Sequence, residues 1–266
     1  MPRTSMVVAA LLTVAALPAR AQEAAFEDPT GDDNGPGTYK YPTDRVYKPG
    51  SFDLTRLKVS PKGDKVTFEA SVNADLEDPW GMGSGFALQM IFVHVKTGPG
   101  GFTEGIPGTS VVFAPNDAWN KVVILSPQKA FRVKQELKQK CDPKMRDAAV
   151  VPDATTGKGR TITATVNKKD LGDGDVTKWG YQVLVQSNEG FPDKNDVMTR
   201  KVNEFEGQHR FGGGNDGECD PHVIDLLAGK GTGDKGEVDE QHKMLAYECN
   251  PDGTAKRKAT LKMVRK

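Results

Sequence analysis

The sequence is poor in the features that most often announce a function. It has three cysteines, Cys141, Cys219 and Cys249, and no Cys-x-x-Cys spacing, which removes support for a zinc knuckle or a dithiol redox centre. His-Glu-x-x-His is absent, and Met82-Gly83-Ser84-Gly85-Phe86 does not make the Gly-x-Ser-x-Gly elbow of hydrolases. An excess of one charge is lacking too. Lys plus Arg number 36 and Asp plus Glu number 36, so electrostatics gives no reason to expect nucleic acid or an anionic membrane as partner. Past residue 21 no apolar run approaches the roughly 20 residues a transmembrane helix requires. Aromatic residues make up 7% of the chain, and that scarcity makes each of the three tryptophans worth placing.

What is present begins with a leader. Residues 1–21 have a basic start at Arg3, an apolar run over residues 6–17, and Ala19-Arg20-Ala21 in the small-x-small pattern of a cleavage site before Gln22. This predicts a chain exported to the periplasm or cell exterior, with residues 22–266 forming one mature domain. An oxidising compartment predicts one disulfide and one leftover thiol. Spacing alone does not say which pair bonds; a bond between Cys219 and Cys249 is preferred because it would tie a glycine-rich loop to the C-terminal strand.

Alternation of apolar and polar residues in Val66-Thr67-Phe68-Glu69-Ala70-Ser71-Val72, Ile91-Phe92-Val93-His94-Val95, Thr161-Ile162-Thr163-Ala164-Thr165-Val166 and Tyr181-Gln182-Val183-Leu184-Val185-Gln186 has the period of half-buried strands. Val111-Val112-Phe113 and Val122-Val123-Ile124-Leu125 read as strands buried on both sides. Glycine and proline turns punctuate them, among them Asn250-Pro251-Asp252-Gly253 between Met244-Leu245-Ala246-Tyr247 and Ala259-Thr260-Leu261-Lys262-Met263. One helix is predicted after Ser126 as N-cap and Pro127, with Ala130, Phe131, Val133 and Leu137 along one side; a second short turn follows Asn167. The expected fold is all-β: an antiparallel two-sheet β-sandwich of jelly-roll type with one or two short helices.

Several chemistries can be weighed on this frame. Gly231-Thr232-Gly233-Asp234-Lys235-Gly236 matches Gly-x-Gly-x-x-Gly, but with no buried parallel strand before it and no amphipathic helix after it, it reads as a loop. The acidic residues sit mostly beside Gly, Pro or Asn, where a carboxylate caps its own turn, so a glycosidase pair has no particular support. The loop Asp28-Pro29-Thr30-Gly31-Asp32-Asp33-Asn34 offers three carboxylates and an amide within one tight segment. Asp28, Asp32 and Asp33 make a candidate Ca2+ site completed from a distant loop, with a hydrogen-bonded turn lacking metal as the alternative. Trp80, Trp119 and Trp179 each stand at a loop-to-strand junction. With Tyr39 and Tyr41 they are candidates for stacking on a sugar ring while neighbouring polar residues bond its hydroxyls; a core tryptophan closing the sandwich is the plainer role for any one of them. His94, with Met90 or Met82, is the combination able to ligate haem iron, against the simpler reading of a satisfied histidine.

Five blocks, taken in order, resemble a known family: residues 28–42, Gly50-Ser51-Phe52-Asp53-Leu54, Pro79-Trp80-Gly81 with Gly85-Phe86 and Gln89, Trp179-Gly180-Tyr181, and Phe211-Gly212-Gly213-Gly214 with Asp220-Pro221 and Val223-Ile224-Asp225-Leu226-Leu227. They look like the C-terminal module of bacterial glucodextranases, within a DOMON-like group that includes family 9 carbohydrate-binding modules. The resemblance implies a β-sandwich with no catalytic role of its own. It would bind a polysaccharide or oligosaccharide such as an α-glucan, or hold a separate glucan-degrading enzyme or envelope component at the cell surface. Related domains bind haem in electron-transfer subunits, which makes haem the alternative cofactor to Ca2+. A structural cell-envelope protein is the third expectation. The chain departs from the pattern at Gln208-His209, where a tryptophan is expected beside Arg210, and at Cys219, where an aromatic is usual.

Overall fold

The computed structural model describes residues 22–231 and 233–266; the leader read at residues 1–21 lies outside them. In chain order the strands are β1 (Ala24–Glu27), β2 (Leu54–Lys62), β3 (Lys65–Val72), β4 (Gln89–Lys96), β5 (Val111–Phe113), β6 (Lys121–Leu125), β7 (Ala149–Val150), β8 (Thr155–Lys158), β9 (Thr161–Asn167), β10 (Gly180–Ser187), β11 (Asp225–Leu226), β12 (Glu248–Cys249), β13 (Ala255–Arg257) and β14 (Ala259–Leu261). The helices are α1 (Ala130–Lys140), α2 (Pro143–Ala148), α3 (Lys168–Leu171) and α4 (Glu237–Leu245). Two five-stranded sheets, in the orders β1-β2-β3-β9-β8 and β11-β10-β4-β6-β7, make a β-sandwich.

The first sheet shows the period-2 pattern that predicted it. Val66, Phe68 and Ala70 of β3 point inward, opposite Val166, Ala164 and Ile162 of β9. The residues between them face out, where Thr67 and Thr165 bond through their hydroxyls at 2.9 Å, as do Ser71 and Thr161. The second sheet has no free face. Ile91, Val93 and Val95 of β4, with Tyr181, Val183 and Val185 of β10, meet the first sheet, while Met90, Phe92 and Leu184 on the other side pack under Val133 and Leu137 of α1, Met145 of α2 and Met244 and Leu245 of α4. Burying both sides of one sheet is how a chain with few aromatics accumulates enough apolar contact to fold. Among the described residues no helix is long and apolar enough to cross a membrane.

The fold also corrects the reading of the sequence. Two pairings are parallel, β6 with β7 and β5 with β14, so the second sheet is mixed. Among the described residues there are four α-helices rather than one or two. The helix expected after Ser126 starts at Ala130, because the Ser126 hydroxyl accepts from Gln128 N–H and closes a separate turn first. Phe131 lies two residues before the buried Val133 and so falls on the opposite side of α1, 70% exposed. Met244 and Leu245 end α4 rather than forming a strand; the turn at residues 250–253 joins β12 to β13, and β14 crosses to β5. Finally, an amphipathic helix, α4, does follow the Gly-x-Gly-x-x-Gly segment. Its first turn carries Glu237, Asp239 and Glu240, charges that would repel a pyrophosphate, and the strand before it runs antiparallel to β10.

Candidate functional site

The two glycine-and-acid loops, far apart in sequence, meet in space. Lys40 and Gly212 exchange backbone bonds of 2.9 and 3.0 Å, Gly35 N–H donates to Ile224 O at 2.7 Å, and the Gln241 amide of α4 donates to Asp32 O at 2.6 Å. Gly213 sits at φ +86°, with Thr38 O only 2.1 Å from where a Cβ would stand, so the two loops approach this closely only because the residue is glycine.

This packing gathers buried carboxylates. Oxygens of Asp28, Asp32 and Asp225 lie within 4.8 Å of one another. Asp225 Oδ2 accepts from Leu54 N–H at 2.6 Å and Oδ1 from Leu226 N–H at 2.8 Å. Asp53 Oδ2 accepts from Gly31 N–H at 2.9 Å and from the Asn73 amide at 3.0 Å, holding the loop from below. Burial pushes Asp28 and Asp225 well above the ordinary carboxylate range and raises Asp32 to about 7, with neighbouring acids adding to the effect. Asp33 is turned away: its carboxylate takes the Tyr41 hydroxyl. Of the three acids nominated from sequence, the structure therefore groups Asp28 and Asp32 and supplies Asp225 as the third.

The aromatic candidates separate in the same way. Trp119 is fully buried, its indole N–H bonded to Glu104 O at 2.9 Å and its ring against Phe102 and His94. Trp179 is buried in the main core. Tyr39 is buried with its hydroxyl on Pro221 O, and Tyr41 packs between Phe52 and Phe211. Trp119, Trp179 and Tyr39 are buried and Tyr41 is partly buried against Phe52 and Phe211, so the five do not form the joint platform expected from sequence. The plainer role, closing the sandwich, is the one these four occupy.

Trp80 is the most exposed of the five, at 40%. Its turn is fixed by Asp78, whose two carboxylate oxygens accept from Met82 N–H and Gly83 N–H, each at 2.7 Å. The indole stands edge-on to His209, with ring centres 6.2 Å apart, and near Tyr47 at 6.4 Å. Beside it lies a groove of about 350 Å³ lined by Trp80, Met82, Gln128, Arg132, Asn188, Glu189, Gly190, Phe191, Arg200 and His209. Phe191 is 90% exposed, with the Arg132 guanidinium 5.5 Å over its ring. Arg200 pairs with Glu189 at 2.9 Å, Gln128 donates to Asn188 at 3.2 Å, and Arg132 reaches Gln128 at 3.3 Å. The result is a wall of linked amides, a carboxylate and guanidinia between two aromatic rings. Sequence reading missed Phe191, although a lone aromatic in Glu189-Gly190-Phe191-Pro192, where turn chemistry keeps it out of the core, was a usable signal. A larger groove of about 570 Å³, bordered by residues 104–111, Cys141 and Asp196, has no Phe, Tyr or Trp among its lining residues.

His94 is completely enclosed, its ring 4.8 Å from Phe113 and 5.2 Å from Trp119; burial lowers it to about 3, and Met90 beside it on β4 is equally buried. His94 and Met90, nominated for haem, are thus sealed beneath the helices that cover the second sheet, while Met82, the other candidate partner, lines the Trp80 groove. Cys219 and Cys249 are joined in a disulfide, and Cys141 is the free thiol.

Compared with known proteins, residues 24–264 match the model of a family described as the C-terminal binding-module, SLH-like, of glucodextranase. No curated protein matches the chain.

Proposed function

The chain belongs to the family of glucodextranase C-terminal binding modules, and on that premise we propose that it is an exported, non-catalytic carbohydrate-binding module that takes a polysaccharide, α-glucan foremost, along the Trp80 groove. One observation carries the reading. A half-exposed indole, pinned by Asp78, shares a groove with the exposed Phe191 and with Gln128, Asn188, Glu189, Arg132 and Arg200. Sugar rings offer apolar C–H faces to aromatic planes and hydroxyls to amides, carboxylates and guanidinia, and this groove holds both kinds of partner. Because the turn is already ordered, little conformational entropy is lost on binding. Export is supported by the leader pattern and the disulfide. A glucan-degrading enzyme or an envelope component served by the module is a separate partner in this reading.

The test is retention on insoluble α-glucans together with calorimetric titration of gluco-oligosaccharides. Trp80→Ala should weaken binding by about 2 kcal/mol, roughly 30-fold in Kd, and Phe191→Ala by a lesser amount. Phe131→Ala, at an exposed ring outside the groove, should leave it unchanged. Equal retention of wild type and Trp80→Ala sinks the proposal.

A further inference from the structure

The geometry points to a Ca2+ site in which Asp28, Asp32 and Asp225 hold the ion between the N-terminal loop and the strand β11. This goes beyond the sugar reading and stands or falls without it. Three carboxylates have oxygens within 4.8 Å of one another, and all three side chains are buried. Proximity of acids is not enough; what distinguishes this group is unmet bonding. Asp28 is 8% exposed and Asp32 1%, and both oxygens of each lack a hydrogen-bond partner, as does Asp53 Oδ1 directly behind them. Four partnerless carboxylate oxygens beneath the surface constitute a desolvation cost that proteins ordinarily offset with a donor or a cation. Here the charged neighbours bearing on Asp28 are all acids: Asp225, Glu237 and Asp32.

The donor set selects the ion. Every candidate ligand is oxygen, and the cluster contains neither histidine nor cysteine, which disfavours zinc. Two carboxylates from one loop and a third from a strand far along the chain make an adaptable cage, suited to the six to eight ligands and irregular geometry of Ca2+ more than to the strict octahedron of Mg2+. Two contacts already set the cage. Glu237 Oε1 accepts from Ala228 N–H and Gly229 N–H, both at 2.7 Å, anchoring the start of α4 next to Asp28, and Gln241 holds Asp32 O.

The experiment is thermal unfolding of the full mature chain after exhaustive chelation, followed by titration with CaCl2, MgCl2 and, as a luminescent probe, TbCl3. Ca2+ should raise the midpoint in a saturable way and Mg2+ at equal concentration far less, with Tb3+ luminescence appearing and being displaced by Ca2+. Asp28→Asn and Asp225→Asn should each abolish the Ca2+-dependent rise; metal-free Asp28→Asn, which removes an acid from the cluster and no hydrogen bond, should melt no lower than metal-free wild type, whereas Asp225→Asn, which exchanges one of two oxygens accepting from backbone N–H groups for an NH2, should melt lower. Asp33→Asn, at the residue turned to Tyr41, should keep the full response. Absence of any Ca2+ effect on wild type overturns the proposal, and so does a response that survives in both Asp28→Asn and Asp225→Asn. Should one of these fail to fold, the other decides the outcome. Loss of glucan binding with the Ca2+ response intact would refute only the sugar reading.

Discussion

The disulfide gives the most quantitative prediction. Cys219 and Cys249 are 30 residues apart, and closing a loop of that size removes about 12 cal/mol/K from the unfolded chain, or about 3.6 kcal/mol at 25 °C. For a domain of this size that corresponds to roughly 7–14 °C in Tm. The perturbation is Cys219→Ala with Cys249→Ala, compared with wild type melted before and after reduction. The comparison matters because Cys219 is fully buried, so the double variant also loses its sulfur packing, whereas reduction does not delete the atom. Thiol titration of the denatured, unreduced chain should find one free group, Cys141, and Cys141→Ala should retain the stability of the bridged protein. A shift below about 1 kcal/mol on reduction, or loss of the bridge in Cys141→Ala, would refute the reasoning.

Two further outcomes are expected. His94 is lowered to about 3 by burial alone, so between about pH 6.5 and pH 3 the unfolded chain binds a proton that the folded chain refuses, and this one group costs up to about 1.4 kcal/mol of stability per unit as pH falls; buried His222, also lowered to about 3, adds a second contribution of the same sign. His94→Leu, which also removes two ring nitrogens without partners, should make that acid limb shallower in urea unfolding series while the His222 contribution stays; an unchanged limb would be the contrary result. Asp78→Ala should release the Met82 and Gly83 amides, loosen the Trp80 turn and weaken glucan affinity several-fold while Tm changes by less than about 2 °C, measured by titration and melting in parallel.

Legibility in the sequence followed the environment of each residue. The inward face of β3 and β9 was readable because its opposite face meets water, which leaves alternation in the text; β4 and β10 were readable as strands from the same period, although both of their faces are covered. The helix α4 was hidden by its own ending, since Met244 and Leu245 look like strand residues until Val238 and Gln241 are counted with them at helical spacing. Asp28 and Asp32 were nominated by their loop, but Asp225 could not be joined to them, because only tertiary packing brings residues 28 and 225 together. Junction position nominated all three tryptophans alike. It could not separate Trp80, lifted out on an Asp78-capped turn, from Trp119 and Trp179, whose rings fill the layers beneath.

Much of what seats residues 32–40 comes from residues 212–241, and β5 takes β14 as its parallel partner. A ribosome or translocation channel delivers a polypeptide from one end, so these contacts of residues 32–40 must wait until residues 212–241 have emerged. Pairings of such high sequence separation slow folding, and the interval exposes strand edges to aggregation. This architecture therefore places a demand on the cell, a holding chaperone or low nascent concentration, until the two loops have clasped.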